Sequence, residues 1–154
     1  MKLSAIQKTT QAVADAISEA VGLETEIISD EELIVAGTGR YRDKIGCIEK
    51  CGDSSTNEIY GMIFRTGVNY IIEDAQEHPD YWGIEGELAE VCCPIELDGK
   101  VIGIIGLIAF DEAQRTLLIE KKQSLLNFCN KMADLLSTKE VRRSEERRVG
   151  KECR

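Results

Sequence analysis

Aromatic residues are scarce in this chain, at 5% of 154 residues, with one tryptophan. A core built from it must be mostly aliphatic. Histidine occurs once, at His78. No Ser/His/Asp arrangement can be argued from position, and only Cys93 with His78 stays open as a thiol–imidazole pair. Basic residues are in deficit: 19 Lys and Arg against 28 Asp and Glu leave a formal charge of −9. Direct nucleic-acid binding and docking on an anionic membrane both need a basic surface, so neither is expected. No apolar run approaches the length of a membrane span, and "MKLSAIQKTTQ" has no signal-peptide core. A cytoplasmic location is therefore expected. No GxxxxGK[ST] phosphate loop occurs, and "GTGR" at 37–40 lacks a helix-opening glycine pattern. It reads as a strand-ending turn. There is no CxxC pair either. The six cysteines are irregularly spaced, so free thiols or metal ligands are expected before disulfides.

What is present suits one domain. Residues 3–21 read as a helix, with Ile6, Val13, Ile17 and Val21 at helical spacing, Ser4 as its N-cap and Gly22 as its stop. "TEIIS" (25–29) and "LIVAGTG" (33–39) read as two strands around the turn "DEE". Residues 40–57 are polar and irregular, with room for a helical turn or two. A helix comes next over 58–65, then a strand "NYIIE" (69–73). Residues 73–87 carry Pro79 and two glycines without periodicity and read as a long loop. Strands 88–97 and 101–110 flank the turn "DGK". Asp111 then caps a helix to Thr138, whose apolar stripe is Leu118, Leu125, Phe128, Met132 and Leu135, interrupted by Lys121. Five strands predict a single antiparallel sheet in an α+β fold, with the terminal helices on one face and the central loops over the other. The regular strand–helix alternation of a doubly wound parallel fold is missing.

The cysteines carry the first candidate chemistry. Cys92 and Cys93 are adjacent on a strand, so they point to opposite faces: one thiol into the helix-packed core, one towards the loops. They are either small buried core residues or, on the loop side, part of a ligand pocket or an oxidation sensor. Cys47 and Cys51 in "CIEKC" share a helix face, and with Cys92 or Cys93 would give the three or four thiolates of a metal site. Gly103 and Gly106 interrupt a strong strand. Either a helix crosses the sheet closely there, or a ligand lies on the bare backbone. Arg40, Arg42 and Arg65 stand out in an acidic chain; Arg40 or Arg42 suits a bidentate grip on a carboxylate ligand, with surface ion pairing as the alternative. Tyr81 and Trp82 are the apolar anchors of the long loop, either as a lid over the sheet or simply as packing that orders the loop.

Residues 28–41 ("ISDEELIVAGTGRY"), 91–114 ("VCCPIELDGKVIGIIGLIAFDEAQ") and 132–139 ("MADLLSTK") resemble the N-terminal sensory region of sigma-54-dependent transcriptional activators of anaerobic bacteria. The pattern is also similar to sugar-diacid recognition domains and, more remotely, to PAS and GAF sensors. It covers nearly all of residues 6–139. The resemblance implies a regulatory domain that binds a small molecule and signals through its C-terminal helix to an AAA+ ATPase and a helix-turn-helix, neither of which this sequence shows. It also implies, in some members, extra cysteines for a metal or cluster before the vicinal pair; the loop "QEHPDYWGIEGELAE" has none. Residues 143–154 ("RSEERRVGKECR") resemble the translation of a sequencing adapter. The expected organisation is therefore a sensor domain over 1–140 and a non-native or disordered tail over 141–154. The expected activity is non-catalytic sensing of a small-molecule ligand by a homodimer. A cysteine-based metal or iron–sulfur redox sensor and a ligand-free dimerisation module are the alternatives. No cofactor is named by the residues.

Overall fold

A computed structural model of the chain describes residues 2–48, 59–78 and 84–152. Its elements in order are a 3-10 turn at Leu3–Ile6, α1 (Gln7–Val21), β1 (Glu24–Ser29), β2 (Ile34–Gly37), a second 3-10 segment at Gly39–Lys44, α2 (Ile59–Thr66), β3 (Tyr70–Ile72), β4 (Ala89–Leu97), β5 (Lys100–Ala109), α3 (Glu112–Glu120) and α4 (Lys122–Glu152). The five strands form one sheet in the order β2-β1-β5-β4-β3, every pairing antiparallel. The predicted sheet and fold class are those observed.

The period of two sorts the sheet into two faces. Ile27, Val91, Cys93, Ile95, Ile105 and Leu107 point to one side. There they pack against Leu3, Ala14 and Ile17 and against Leu118, Leu125, Leu126, Cys129, Ala133 and Leu136 of the last two helices. Ile28, Cys92 and Ile104 point to the other, where α2 lays Ile59, Tyr60 and Ile63 over them. The first cluster is almost wholly aliphatic, as the shortage of aromatics requires, while the second gathers Tyr60, Phe64 and Tyr70 among its isoleucines. α1 also finishes the edge of the sheet. The Gln11 amide accepts from the Gly37 N–H at 3.0 Å and donates to the Gly37 carbonyl at 2.9 Å, which pairs ladder groups that β2 would otherwise leave open.

Local sequence explains most boundaries. Gly22 takes a left-handed conformation and its N–H caps α1 on the Ser18 carbonyl. Asp98 and Gly99 both have positive φ, the requirement of the tight turn that joins β4 to β5. Asp111 caps α3, its carboxylate accepting from the Gln114 N–H at 2.7 Å.

Three expectations need correction. Ser4 is not the N-cap of α1: the chain enters through a 3-10 turn, and the Ser4 hydroxyl bonds Glu31 instead. The helix expected over 111–138 is two helices, broken at Lys121, which leaves the helical conformation at φ −112°; α4 then continues past Thr138 to Glu152. The buried stripe is also turned from the expected one. Cys129 and Ala133 face the sheet, Phe128 and Met132 are half-buried, and Leu135 is 57% exposed. The small pair lets α4 approach β4 closely, and the Ser137 hydroxyl bonds the Glu96 carbonyl at 2.7 Å.

Candidate functional site

The α2-covered face is not purely apolar. β1 puts Glu24, Glu26 and Ile28 on this side, and β4 puts Glu90 and Cys92 there. The register aligns Glu26 with Gly106, and Gly106 with Cys92. Glu26 and Glu90 are each 3% exposed, and Tyr60, reaching down from α2, is 5% exposed. The Tyr60 hydroxyl donates to Glu90 Oε1 and lies 3.2 Å from Glu26 Oε2. One phenol therefore bridges carboxylates from two strands that are separated by β5. Gly106 makes this possible. A Cβ there would stand 2.5 Å from both the Tyr60 hydroxyl and Glu90 Oε1.

A second acidic station adjoins the first. Glu87, just before β4, is buried and accepts from the Tyr41 hydroxyl. Tyr41 comes from the second 3-10 segment and packs on Phe110 at 6.0 Å between ring centroids. Glu24 accepts from the Arg40 N–H at 3.0 Å. Among the described residues every buried charged side chain is a glutamate: Glu26, Glu87, Glu90 and, within α4, Glu140.

Burial in this acidic surrounding shifts the groups that titrate there. Glu87 is pushed up from 4.5 to about 9, first by loss of water and then by the charge of Glu90, with a backbone bond at Ile84 pulling the other way. Tyr60 is raised well above the usual phenol range by burial, then by Glu90 and Glu26. The Cys92 thiol is raised by burial and by Glu90. The face thus holds its protons tightly and offers hydrogen-bond acceptors and phenolic hydroxyls rather than a reactive thiolate.

The residues singled out in the sequence fall in several places. Cys92 and Cys93 divide as strand alternation requires. Cys92 joins the acidic face, and Cys93 enters the aliphatic core beneath α4. Arg40 stacks over Phe110 at 4.0 Å from the ring centroid, at the rim of the Glu87 station. Arg42 is held by Asp15 of α1 at 3.0 Å, in an exposed pair. Cys47 is exposed beside the edge strand β2, its carbonyl accepting from the Ile34 N–H at 3.0 Å. Cys51, Tyr81 and Trp82 lie outside the described residues. Among the described residues no three His, Cys, Asp or Glu side chains are placed to hold a metal ion. Gly103 and Gly106 split between the two readings offered for them. Gly103 admits Leu3 of the first helical turn, whereas Gly106 lies under the phenol–carboxylate bridge. Sequence reading missed Glu26, Glu87, Glu90, Tyr41 and Tyr60.

No described helix is long and apolar enough to cross a membrane. No curated protein sequence matches the chain significantly. Among solved structures, a methyl-accepting chemotaxis protein fragment (residues 122 to 287) superposes with a TM-score of 0.68 at 16% identity, covering 92% of this chain and 96% of that one. The A. aeolicus nlh2 GAF domain in an inactive state gives 0.64 at 18% identity, covering 86% and 82%. The type II free methionine-R-sulfoxide reductase of Thermoplasma acidophilum gives 0.64 at 16% identity, covering 89% and 94%. At these identities the likeness is one of fold. The family model for the GAF domain, a regulatory and small-molecule-sensing fold of signalling proteins, matches residues 4–120. The chain belongs to the GAF domain family.

Proposed function

We propose that this domain is a non-catalytic sensor whose small-molecule ligand sits on the α2-covered face and presents a cationic or hydrogen-bond-donating group to it. The observation that carries this reading is the buried set of Glu26, Glu87 and Glu90 with the hydroxyls of Tyr41 and Tyr60. Buried carboxyl oxygens favour a partner that donates hydrogen bonds or is positively charged, whereas an anionic ligand brings only further acceptors. A small organic acid would have to rely on Arg40 at the rim. A thermal-shift screen of small amines, amino acids and organic acids, with and without reductant, tests this. Amines are expected to raise the melting temperature by several degrees, and simple dicarboxylates are expected not to. Stabilisation by dicarboxylates alone would overturn the assignment.

The wider setting is also a proposal. The domain serves a sigma-54-dependent transcriptional activator in the cytoplasm, with α4 passing the signal to an AAA+ ATPase and a helix-turn-helix. Its support is the resemblance over residues 6–139. Ligand binding would favour one packing of α3 and α4, and those helices would bias the output domains. A homodimer through α1 and the helical segment 111–138 is supported by Leu135, more than half exposed on α4. Light scattering that shows a monomer at high concentration removes the dimer. The fold neighbours include sulfoxide reductases, but here the thiols of Cys92, Cys93 and Cys129 are all fully buried. That burial favours sensing over thiol catalysis.

A further inference from the structure

Cys129 is unremarkable in the sequence, yet the fold sets it against Cys93. Cys93 comes from β4, an interior strand of the sheet, and Cys129 from α4, the long C-terminal helix. Both lie in the same aliphatic cluster with no exposed surface. The Cys93 thiol reaches the Leu126 carbonyl at 3.8 Å, one turn before Cys129, so both thiols sit in the contact between β4 and α4. The other described cysteines are elsewhere. Cys92 points through the opposite face, and Cys47 is at the exposed edge. Strand alternation keeps the sulfurs of Cys92 and Cys93 apart.

We propose that Cys93 and Cys129 form a disulfide under hydroperoxide stress and that this bond fastens α4 to the sheet. In the first step one thiol, as thiolate, attacks a peroxide oxygen. The O–O bond breaks, a sulfenic acid forms, and with the released proton the leaving oxygen departs as water. The second thiol then displaces the sulfenic oxygen as a second water. The S–S bond is made, the two thiols have lost two electrons and two protons, and hydrogen peroxide has become two molecules of water. Reduction by a small thiol reverses the bond through exchange.

The surroundings set the rate. The thiolate is the nucleophile, and the neighbouring Cys93 thiol, followed by burial, pushes the Cys129 thiol up. In the closed fold the pair is therefore slow to react, and oxidation depends on openings of α4 away from β4. Once made, the bond closes the loop that contains the β4–β5 hairpin and α3, so it holds the proposed output helix in its docked state. This inference is independent of what binds the acidic face.

The test uses the whole chain. It is treated with hydrogen peroxide, its remaining thiols are alkylated in denaturant, and it is digested without reductant and analysed by mass spectrometry. The expected product is a peptide pair joined through Cys93 and Cys129, two mass units lighter than the reduced pair and released by reductant. The oxidised protein should melt about 5–10 °C higher than the reduced one, since a cross-link of this length restrains the unfolded chain. The Cys129→Ser variant should lose the joined peptide. The Cys92→Ser variant, altered on the opposite face, should keep it. Oxidation that ends in sulfinic acid, in a Cys92–Cys93 bond or in intermolecular bonds through Cys47 would overturn the proposal, as would a joined pair that lowers the melting temperature.

Discussion

Replacing Glu87 with glutamine is expected to stabilise the domain at pH 8 by about 3 kcal/mol, roughly a 10 °C rise in melting temperature. Glu87 is buried and its folded value is about 9, against an ordinary 4.5. Between those two values the folded chain holds a proton that the unfolded chain has released. Stability from this group is therefore fully present below pH 4.5 and drains away as the pH rises towards 9. The full shift corresponds to about 6 kcal/mol at 1.36 kcal/mol per unit, and relaxation around the group reduces what is realised. Glutamine keeps the shape and still accepts from the Tyr41 hydroxyl, but it has no proton to lose. Urea denaturation from pH 5 to 9 should show stability falling with pH in the parent and a shallower fall in Glu87→Gln. Parallel curves would mean that Glu87 is not protonated in the folded state.

The second large effect is expected at Gly103. An alanine there would place its methyl carbon 2.5 Å from the Ile28 carbonyl oxygen and against the Leu3 side chain. The oxygen belongs to β1, which is paired to β5 at this point, so the obstruction cannot be relieved by turning a side chain. Either the central ladder opens or the first helical turn lifts from the sheet. Gly103→Ala should cost about 2–3 kcal/mol even after the entropy gained by replacing glycine. Gly106→Ala is the internal comparison. Its obstacles are the ends of the Glu90 and Tyr60 side chains, so its loss of stability should be smaller. Equal losses would contradict the division of the two glycines between packing and site.

The same strand shows how far the sequence can be read. The Asp-Gly turn, the isoleucine run and the alternation of Cys92 with Cys93 are local signals, and each specifies its element and its facing. Glu90 stands two residues before Cys92, so the same alternation already places its carboxylate on the face of Cys92. It is easily overlooked because a charge in a strand reads as the solvent side. Only the packing of α2 turns that side into an interior. Tyr41 and Tyr60 depend on contacts with residues 46 and 30 positions away, which periodicity does not encode. The α4 stripe departs from its sequence pattern for another reason. Large apolar residues mark the expected buried face, whereas close packing on β4 selects Cys129 and Ala133 and leaves Leu135 outside. The arginines stand out in the sequence as rare positive charges, but Arg42 is engaged by a surface aspartate.

The central claim is that a ligand occupies the acid and phenol face rather than the helix-packed one. Backbone NMR of the chain, titrated with the best-stabilising amine from the thermal screen, tests it most directly. The expected shifts are largest at Glu26, Tyr60, Glu90, Cys92 and Gly106, fall off at Ile17 and Ala14 of α1, and vanish in a Glu90→Gln variant that melts as the parent does. Shifts confined to α1 and α4, or shifts unchanged in that variant, would contradict the account.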